Sequence, residues 1–377
     1  MAQSSNRDDF FQTTTSLEET RRKAEKSGNS NGDPIKLQSK LLAIAADPSS
    51  SASVYVAESA GLLRKVVLET GKTSALYRGP TAPLTSICFS PDGTTIFAGC
   101  WDKTIWSWEV TSRTLKQRYK GHTDFVKTVV SHRLDGEDLL LSGGADGEII
   151  IWSIRTGERL HVFRDYSRGV LHLAIDPLVS DEDPTRITVF SSGSDRSIRY
   201  FSLSTPFNEQ SLSEPILEHE TSVYKLFFDA DGDLWTASAD KTAKCISRES
   251  KWKTDMTLEH PDFVRDVVVH EQGGWVVTGC RDEEVRVWNR ATGKLHHTYS
   301  GHFEEVSGLL LLGSTVVSIS IDATIRRWSL YATQLEAAKA KAESTAQEEE
   351  EEEVNDNPKS LLTEEEEREL AELMGDD

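Results

Sequence analysis

At four matching points of a repeat in this chain an aspartate stands six residues ahead of a tryptophan: Asp102/Trp108, Asp146/Trp152, Asp282/Trp288 and Asp322/Trp328. A short alternating run joins each pair, as in GGADGEIIIW ending at Trp152 and GCRDEEVRVW ending at Trp288. Two weaker copies, Asp195/Phe201 and Asp240/Ile246, keep the aspartate and replace the indole with another large apolar side chain. Successive aspartates lie 44, 49, 45, 42 and 40 residues apart, a spacing that suits four short strands and their turns. Self-similarity at this period decides the fold class before any single residue does.

A second periodic feature is in phase with the first. Gly121-His122 and Gly301-His302 precede strand runs, and Glu218-His219 and Glu259-His260 occupy the matching places. Four residues before each aspartate there is a hydroxyl, at Ser142, Ser191, Thr236, Thr278 and Ser318, with Ala98 as the exception. On these residues the chain resembles the WD40 repeat family over about residues 34–330. The resemblance implies an all-β, seven-bladed propeller in which a His, a Ser or Thr, the turn Asp and the Trp share a buried hydrogen-bond network. Complete sets by that resemblance are His122/Ser142/Asp146/Trp152, His260/Thr278/Asp282/Trp288 and His302/Ser318/Asp322/Trp328. On that basis Asp282→Ala leaves His260 unpaired. The turn Asp would accept from imidazole and backbone N–H, and the buried indole N–H needs a partner of its own.

A seventh unit spans Leu41–Gly79, where LLAIAAD, SVYVAES, LLRKVVL and TSALYRG suggest four strands. Ala60 stands there in place of the Asp and Val66 in place of the Trp. The unit ending at Trp328 lacks a fourth strand, because SLYATQLEAAKAKAES has helical composition. Propellers of this family often take that strand from the N-terminal segment, and Pro34–Ser39 is the natural donor. Closure of this kind removes an aggregation-prone edge.

Three regions follow: an extension over 1–33, the propeller over 34–330 and a tail over 331–377. In the first, Ser16 with Glu19 fits a capping box for a short helix through SLEETRRKAEK, and SGNSNGD suggests a flexible linker. The tail holds 17 acidic and 4 basic side chains, so −13 of the chain's net −20 resides there. It starts with a helix-forming stretch from Ala332. Glu348–Glu353 then form a block of like charge that is expected to stay disordered. Thr363 with Glu366 makes another capping box, and Leu370, Leu373 and Met374 fall on one face of the helix it opens. That stripe suits a partner's groove, and the alternative is an acidic extension that serves solubility alone.

Catalysis is not expected, and no cofactor or metal is implied. Four of the ten histidines already have repeat positions, and a site copied into every blade is not how an active site is built. Phosphate-loop and HExxH motifs are absent from the sequence. Cys88, Cys100, Cys245 and Cys280 sit in or beside apolar runs with no CxxC pair, as small buried hydrophobes in a reducing compartment do. The N-terminus has no apolar leader and no run approaches a membrane span, so a cytoplasmic or nuclear location is expected. The mild negative charge of residues 1–330 gives no general attraction to nucleic acid.

Other proteins are the expected partners. By the family resemblance, residues at the start of each innermost strand and just before the turn Asp point to the top face. Here these are Trp101, Phe125, Lys127, Tyr224, Phe263, Arg265 and Arg281, a mixture of aromatic and basic side chains typical of interface anchors. The leading expectation is a non-catalytic scaffold subunit of an intracellular complex. One alternative is a substrate receptor of a cullin-type ubiquitin ligase. It rests on LSGGADGEIIIWSIR, which resembles an adaptor-docking box with Trp152 and Arg155 in place but Ser153 where an acidic or Asn residue is usual. Another is a non-catalytic subunit that helps an enzyme bind RNA or chromatin.

Overall fold

The computed structural model of the chain describes residues 14–164, 166–183, 185–204 and 212–355. The described residues form seven antiparallel sheets, each a blade of a propeller. In chain order the blades span residues 41–77, 84–120, 126–163, 170–204, 223–259, 264–299 and 306–329.

Burial explains the two kinds of strand. Thr95–Cys100 is buried along its whole length, because blades cover both faces of an inner strand. The outermost strand Leu115–Lys120 is mostly exposed and buries Tyr119 near its end. Side chains of an inner strand therefore divide between two neighbours with period two. Leu139 and Leu141 of the third blade pack on Ile187, Val189 and Phe201 of the fourth. Leu140, between them, faces Phe97 and Ile105 of the second.

The ring closes where its last blade is one strand short. Ile35–Lys36 pairs antiparallel with Thr324–Ser329, Ile35 opposite Ile325 and Lys36 opposite Thr324. The ladder is thus shorter than the Pro34–Ser39 donor read from the sequence, though Leu37 N–H still reaches the Ala323 carbonyl at 2.8 Å. SGNSNGD is no free linker. Asn29 and Asn31 donate to the carbonyls of Gly301 and Ser300 at 3.0 Å each, and Arg326 donates to Asn29 at 2.8 Å. Short amide side chains satisfy backbone groups of the connection between the sixth and seventh blades and so hold the segment down.

The described part of the fourth blade has three strands, extended by an isolated bridge between Ile198 and Ile216. A helix is inserted between its first two strands, which accounts for the long interval from Asp146 to Asp195. Helix α1 covers Thr14–Ser27, α2 is this insertion, Pro177–Glu182, and α3 is Ala332–Asn355. Helix α1 begins two residues ahead of Ser16, and the side chains of the proposed capping box lie outside the described residues.

Helix α3 belongs to a separate compact unit that starts at Tyr331. It corrects one expectation, because it continues through Glu348–Glu353. Glutamate is a good helix former, and an Ala-rich segment ahead of the block has already met the nucleation cost. Like-charge pairs at i,i+4 cost only a few tenths of a kcal/mol each, about 0.2–0.5, which is too little to stop propagation. Thr363, Glu366, Leu370, Leu373 and Met374 lie outside the described residues. No helix among the described residues is long and apolar enough to cross a membrane.

Candidate protein-docking face

One end of the ring is built by two devices repeated in every blade. The first is the turn between the second and third strands. The residue after the turn position is left-handed in all seven, at Gly61, Lys103, Gly147, Arg196, Lys241, Glu283 and Ala323. Only two of these are glycine, so the other five carry backbone strain that something must offset. The turn Asp does so by accepting the N–H two residues on, at 3.0 Å for Thr104, 3.1 Å for Glu148 and 2.8 Å for Thr324.

In the third and seventh blades the network has one consistent direction. Trp152 Nε1–H donates to Ser142 Oγ at 2.9 Å, and the hydroxyl meets His122 Nε2 at 2.7 Å. His122 Nδ1–H then faces Asp146 at 3.0 Å. Burial works to raise the Asp146 carboxyl, and the bonds from His122, Thr123 and Glu148 outweigh it, bringing it down to about 2. Trp328, Ser318, His302 and Asp322 repeat the chain at 2.8, 2.7 and 3.0 Å.

The sixth blade differs from its sequence expectation. His260 Nε2 meets Thr278 at 2.8 Å, but Nδ1 donates to the Leu258 carbonyl at 3.1 Å rather than to Asp282. Asp282 instead takes two bonds from Arg286, at 3.0 and 2.6 Å. A guanidinium four residues past the turn reaches the carboxylate and displaces the imidazole. Asp282→Ala thus strands Arg286, not His260.

Sequence reading missed related substitutes. Asp102, in a blade with no histidine at the matching place, accepts Trp106 Nε1–H at 2.8 Å. In the first blade buried Glu58 takes the Arg64 guanidinium at 2.6 Å. In the fourth, the Tyr166 hydroxyl meets Ser191 Oγ at 2.8 Å. The fifth blade forms His219–Asp240 and His219–Thr236 contacts of 2.7 Å each although Ile246 replaces the tryptophan. Where a carboxylate takes a different donor, from Arg64, Trp106 or Arg286, that donor stands four residues after the turn.

The second device is a β-bulge near the start of every innermost strand. Register jumps between Leu41 and Ala43, Leu84 and Ser86, Val126 and Thr128, and Val170 and His172. It jumps again between Val223 and Lys225, Val264 and Asp266, and Val306 and Gly308. A bulge frees one residue from the ladder and re-aims its side chain. The freed residues are Leu42, Thr85, Lys127, Leu171, Tyr224, Arg265 and Ser307, and all seven line a cavity of about 370 Å³ along the ring's centre. Thr85 and Ser307 donate to the carbonyls of Val126 and Leu41 in adjacent blades, at 2.6 and 2.7 Å.

The seven face residues named from the sequence fall into two groups. Trp101 stacks on Phe125 at 5.0 Å between centroids, and Lys127 Nζ lies 5.7 and 5.6 Å from the two rings. Across the ring, Arg265 covers Tyr224 at 4.1 Å and Arg281 covers Phe263 at 5.1 Å. Trp101, Lys127, Tyr224 and Arg265 line the cavity, and Phe125, Phe263 and Arg281 do not. Trp101 remains 40% exposed, a large apolar area left in water. At the other end of the third blade, Arg155 is exposed with Glu137 at 3.6 Å, and Trp152 beside it is buried.

Helix α1 sits on the same end of the ring, over the sixth and seventh blades. Arg22 and Lys26 reach Glu283 at 2.8 Å each, Lys26 also reaches Glu284 at 2.9 Å, and Lys23 reaches Glu304 at 2.9 Å. The Glu283 side chain is only 4% exposed, so these bonds are screened less than ordinary surface pairs. Arg22→Ala with Lys26→Ala should therefore release the helix. Amide exchange over residues 14–27 is expected to speed up by about tenfold or more while core strands keep their protection. Unchanged exchange would show that the ion pairs do not hold α1.

Among the described residues no group of three or more His, Cys, Asp or Glu side chains is placed to hold a metal ion. The profile described as WD domain, G-beta repeat, matches residues 71–109, 113–153 and 252–289. An uncharacterized WD repeat-containing protein of Schizosaccharomyces pombe is 34% identical across 99% of this chain and 100% of its own length. Striatin of Rattus norvegicus is 25% identical over 67% of this chain and 29% of striatin. The tRNA (guanine-N(7)-)-methyltransferase non-catalytic subunit wuho of Drosophila yakuba is 30% identical over 43% of this chain and 38% of that protein. Near-complete coverage at that first identity, on a ring of seven blades with these turns, makes the chain a member of the WD repeat family.

Proposed function

We propose that the chain is a non-catalytic scaffold subunit of an intracellular protein complex, binding a partner through the ring end that carries Trp101, Lys127, Tyr224 and Arg265. The bulge ring is the observation that carries this reading. It spends backbone pairing in all seven blades to aim side chains at one mouth, and places aromatic and cationic groups beside one another there. Such groups are the usual anchors of protein interfaces, and each pair presents an apolar face with a charged tip. The relative wuho is by its printed name a non-catalytic subunit, which supports the same role. Four cysteines without disulfides suit a reducing compartment, cytoplasmic or nuclear. A net charge of −20 argues against nucleic acid as the main partner. The acidic segment after Tyr331 supplies a second grip.

The test is an affinity capture from eukaryotic lysate followed by mass spectrometry. It compares the full chain, a chain ending at Tyr331, and the full chain with Trp101→Ala and Arg281→Ala. A stoichiometric partner should be lost from the double variant while its thermal midpoint stays close to the parent's. A second partner should be lost from the truncated chain. If no variant holds a stable partner, the constitutive scaffold role is wrong.

A further inference from the structure

The charges around the mouth are unevenly matched. Arg265 Nε lies 2.5 Å from Glu305, and Lys225 Nζ lies 3.4 Å from Asp266. Asp266 is further committed to the backbone N–H groups of Val267 and Leu309, at 2.8 and 2.9 Å. Lys127 is different: among the described residues no carboxylate lies within 4.0 Å of its ammonium. Its nearest compensation is the pair of aromatic rings. Burial lowers its pKa, Asp124 works against that, and the Arg265 charge lowers it further. Three cations thus share the cavity lining with two carboxylates, and Lys127 is the one of them with no carboxylate of the described residues within 4.0 Å, Asp124 acting on it from farther off.

We propose that the mouth takes an acidic side chain, the Asp or Glu of an extended segment of a partner protein, on Lys127, with the adjoining large apolar residue laid on the Trp101/Phe125 stack. This rests on the docking-face reading above and names the chemistry of its partner. A carboxylate fits the charge count: it carries one negative charge, whereas a phosphomonoester carries close to two and would leave the site over-neutralised. An ammonium held in a half-buried cavity gains more from such a pair than one at an open surface. The exposed indole gives the neighbouring residue an apolar contact. Helix α1 is anchored on the sixth and seventh blades, and Trp101, Phe125 and Lys127 belong to the second and third.

The test uses the purified full chain as bait for random heptapeptides displayed on phage, so that every probe is an internal sequence. Enriched peptides should share one Asp or Glu beside an aromatic or large aliphatic residue. Lys127→Met, which keeps the aliphatic stem, should weaken a selected peptide about tenfold or more. Lys127→Glu should select Lys or Arg at the position where the acid stood. Trp101→Ala should erase the apolar preference and keep the acidic one. Peptides that depend on Trp101 but carry no fixed acid, or that survive Lys127→Glu unchanged, would overturn the carboxylate assignment and leave the docking face standing. Failure to enrich any peptide would also overturn it, and the lysate capture would then decide the scaffold role separately.

Discussion

Asp322→Ala should lower the stability of the propeller by about 3–5 kcal/mol, the largest loss expected of any single turn aspartate. The side chains of Asp322 and His302 are both 0% exposed. One carboxylate there accepts His302 Nδ1–H at 3.0 Å, Phe303 N–H at 3.2 Å, Thr324 N–H at 2.8 Å and the Thr324 hydroxyl at 2.6 Å. Truncation leaves those donors in a place water does not reach. It also removes the carboxylate whose field opposes the desolvation of Arg326, itself fully buried. The damage falls on the blade that closes the ring, since Thr324 and Ile325 pair with Lys36 and Ile35. Denaturant unfolding would measure the loss, with exchange at Ile35 and Lys36 showing whether the closing strand loosens. Asp102→Ala is the comparison, because its side chain is 25% exposed and water can replace part of what is lost. If Asp322→Ala costs no more than Asp102→Ala, the buried network is not what secures the closing blade.

The spacing of the turn aspartates made six blades legible because that signal is local. An Asp that pins a left-handed residue and an apolar residue six positions on both follow from one turn and one strand, and both are visible in a short window of sequence. The first blade was readable without the Asp or the Trp, from strand alternation and turns. What escaped was everything decided across the blade. Arg286 and Arg326 both stand four residues past a turn aspartate, yet only Arg286 displaces the histidine, because the choice depends on reach across two strands. The Glu58–Arg64 pair was hidden because Glu58 occupies no position the repeat pattern marks. In the tail, the glutamate block was judged by its mutual repulsion, and helix propagation from Ala332 proved the larger effect.

The mouth was half legible. Lys127, Tyr224 and Arg265 were named from a resemblance, and the bulges explain why those positions turn inward. A bulge is one extra residue in a ladder, so only the partner strand's register reveals it. Leu42, Thr85, Leu171 and Ser307 hold the same position and were not named, since apolar and hydroxyl side chains carry no mark of a binding site. The pairing of cations with rings, and the one ammonium left over, are properties of assembled neighbours and have no counterpart in the linear chain.

Acid should weaken the ring before the turn carboxylates held low by their hydrogen bonds titrate, and His260 sets the scale. Burial, with help from the Arg286 charge, lowers its pKa from 6.5 to about 4. The tautomer explains why the neutral ring is preferred. Nδ1–H donates to the Leu258 carbonyl, leaving Nε2 to accept from the Thr278 hydroxyl, whose oxygen accepts Trp288 Nε1–H at 2.9 Å. A second ring proton would point at a hydroxyl already donating toward it. Below pH 6.5 the unfolded chain takes up a proton that the folded ring refuses, so stability falls as pH falls. The loss grows until about pH 4, where the folded imidazole protonates too, and amounts to roughly 3 kcal/mol for this one group. His302 and His172, also lowered by burial, act in the same direction. Asp146 belongs to a later stage. Its folded pKa of about 2 lies below the ordinary 3.8, so its contribution is intact above 3.8 and disappears only as pH drops through 2. Denaturant midpoints taken between about pH 8 and pH 4 would trace the first stage. His260→Gln should begin less stable at the alkaline end and lose less on acidification. An equal slope in the variant would show that His260 is already free to protonate in the folded ring, and would remove this account of the acid sensitivity.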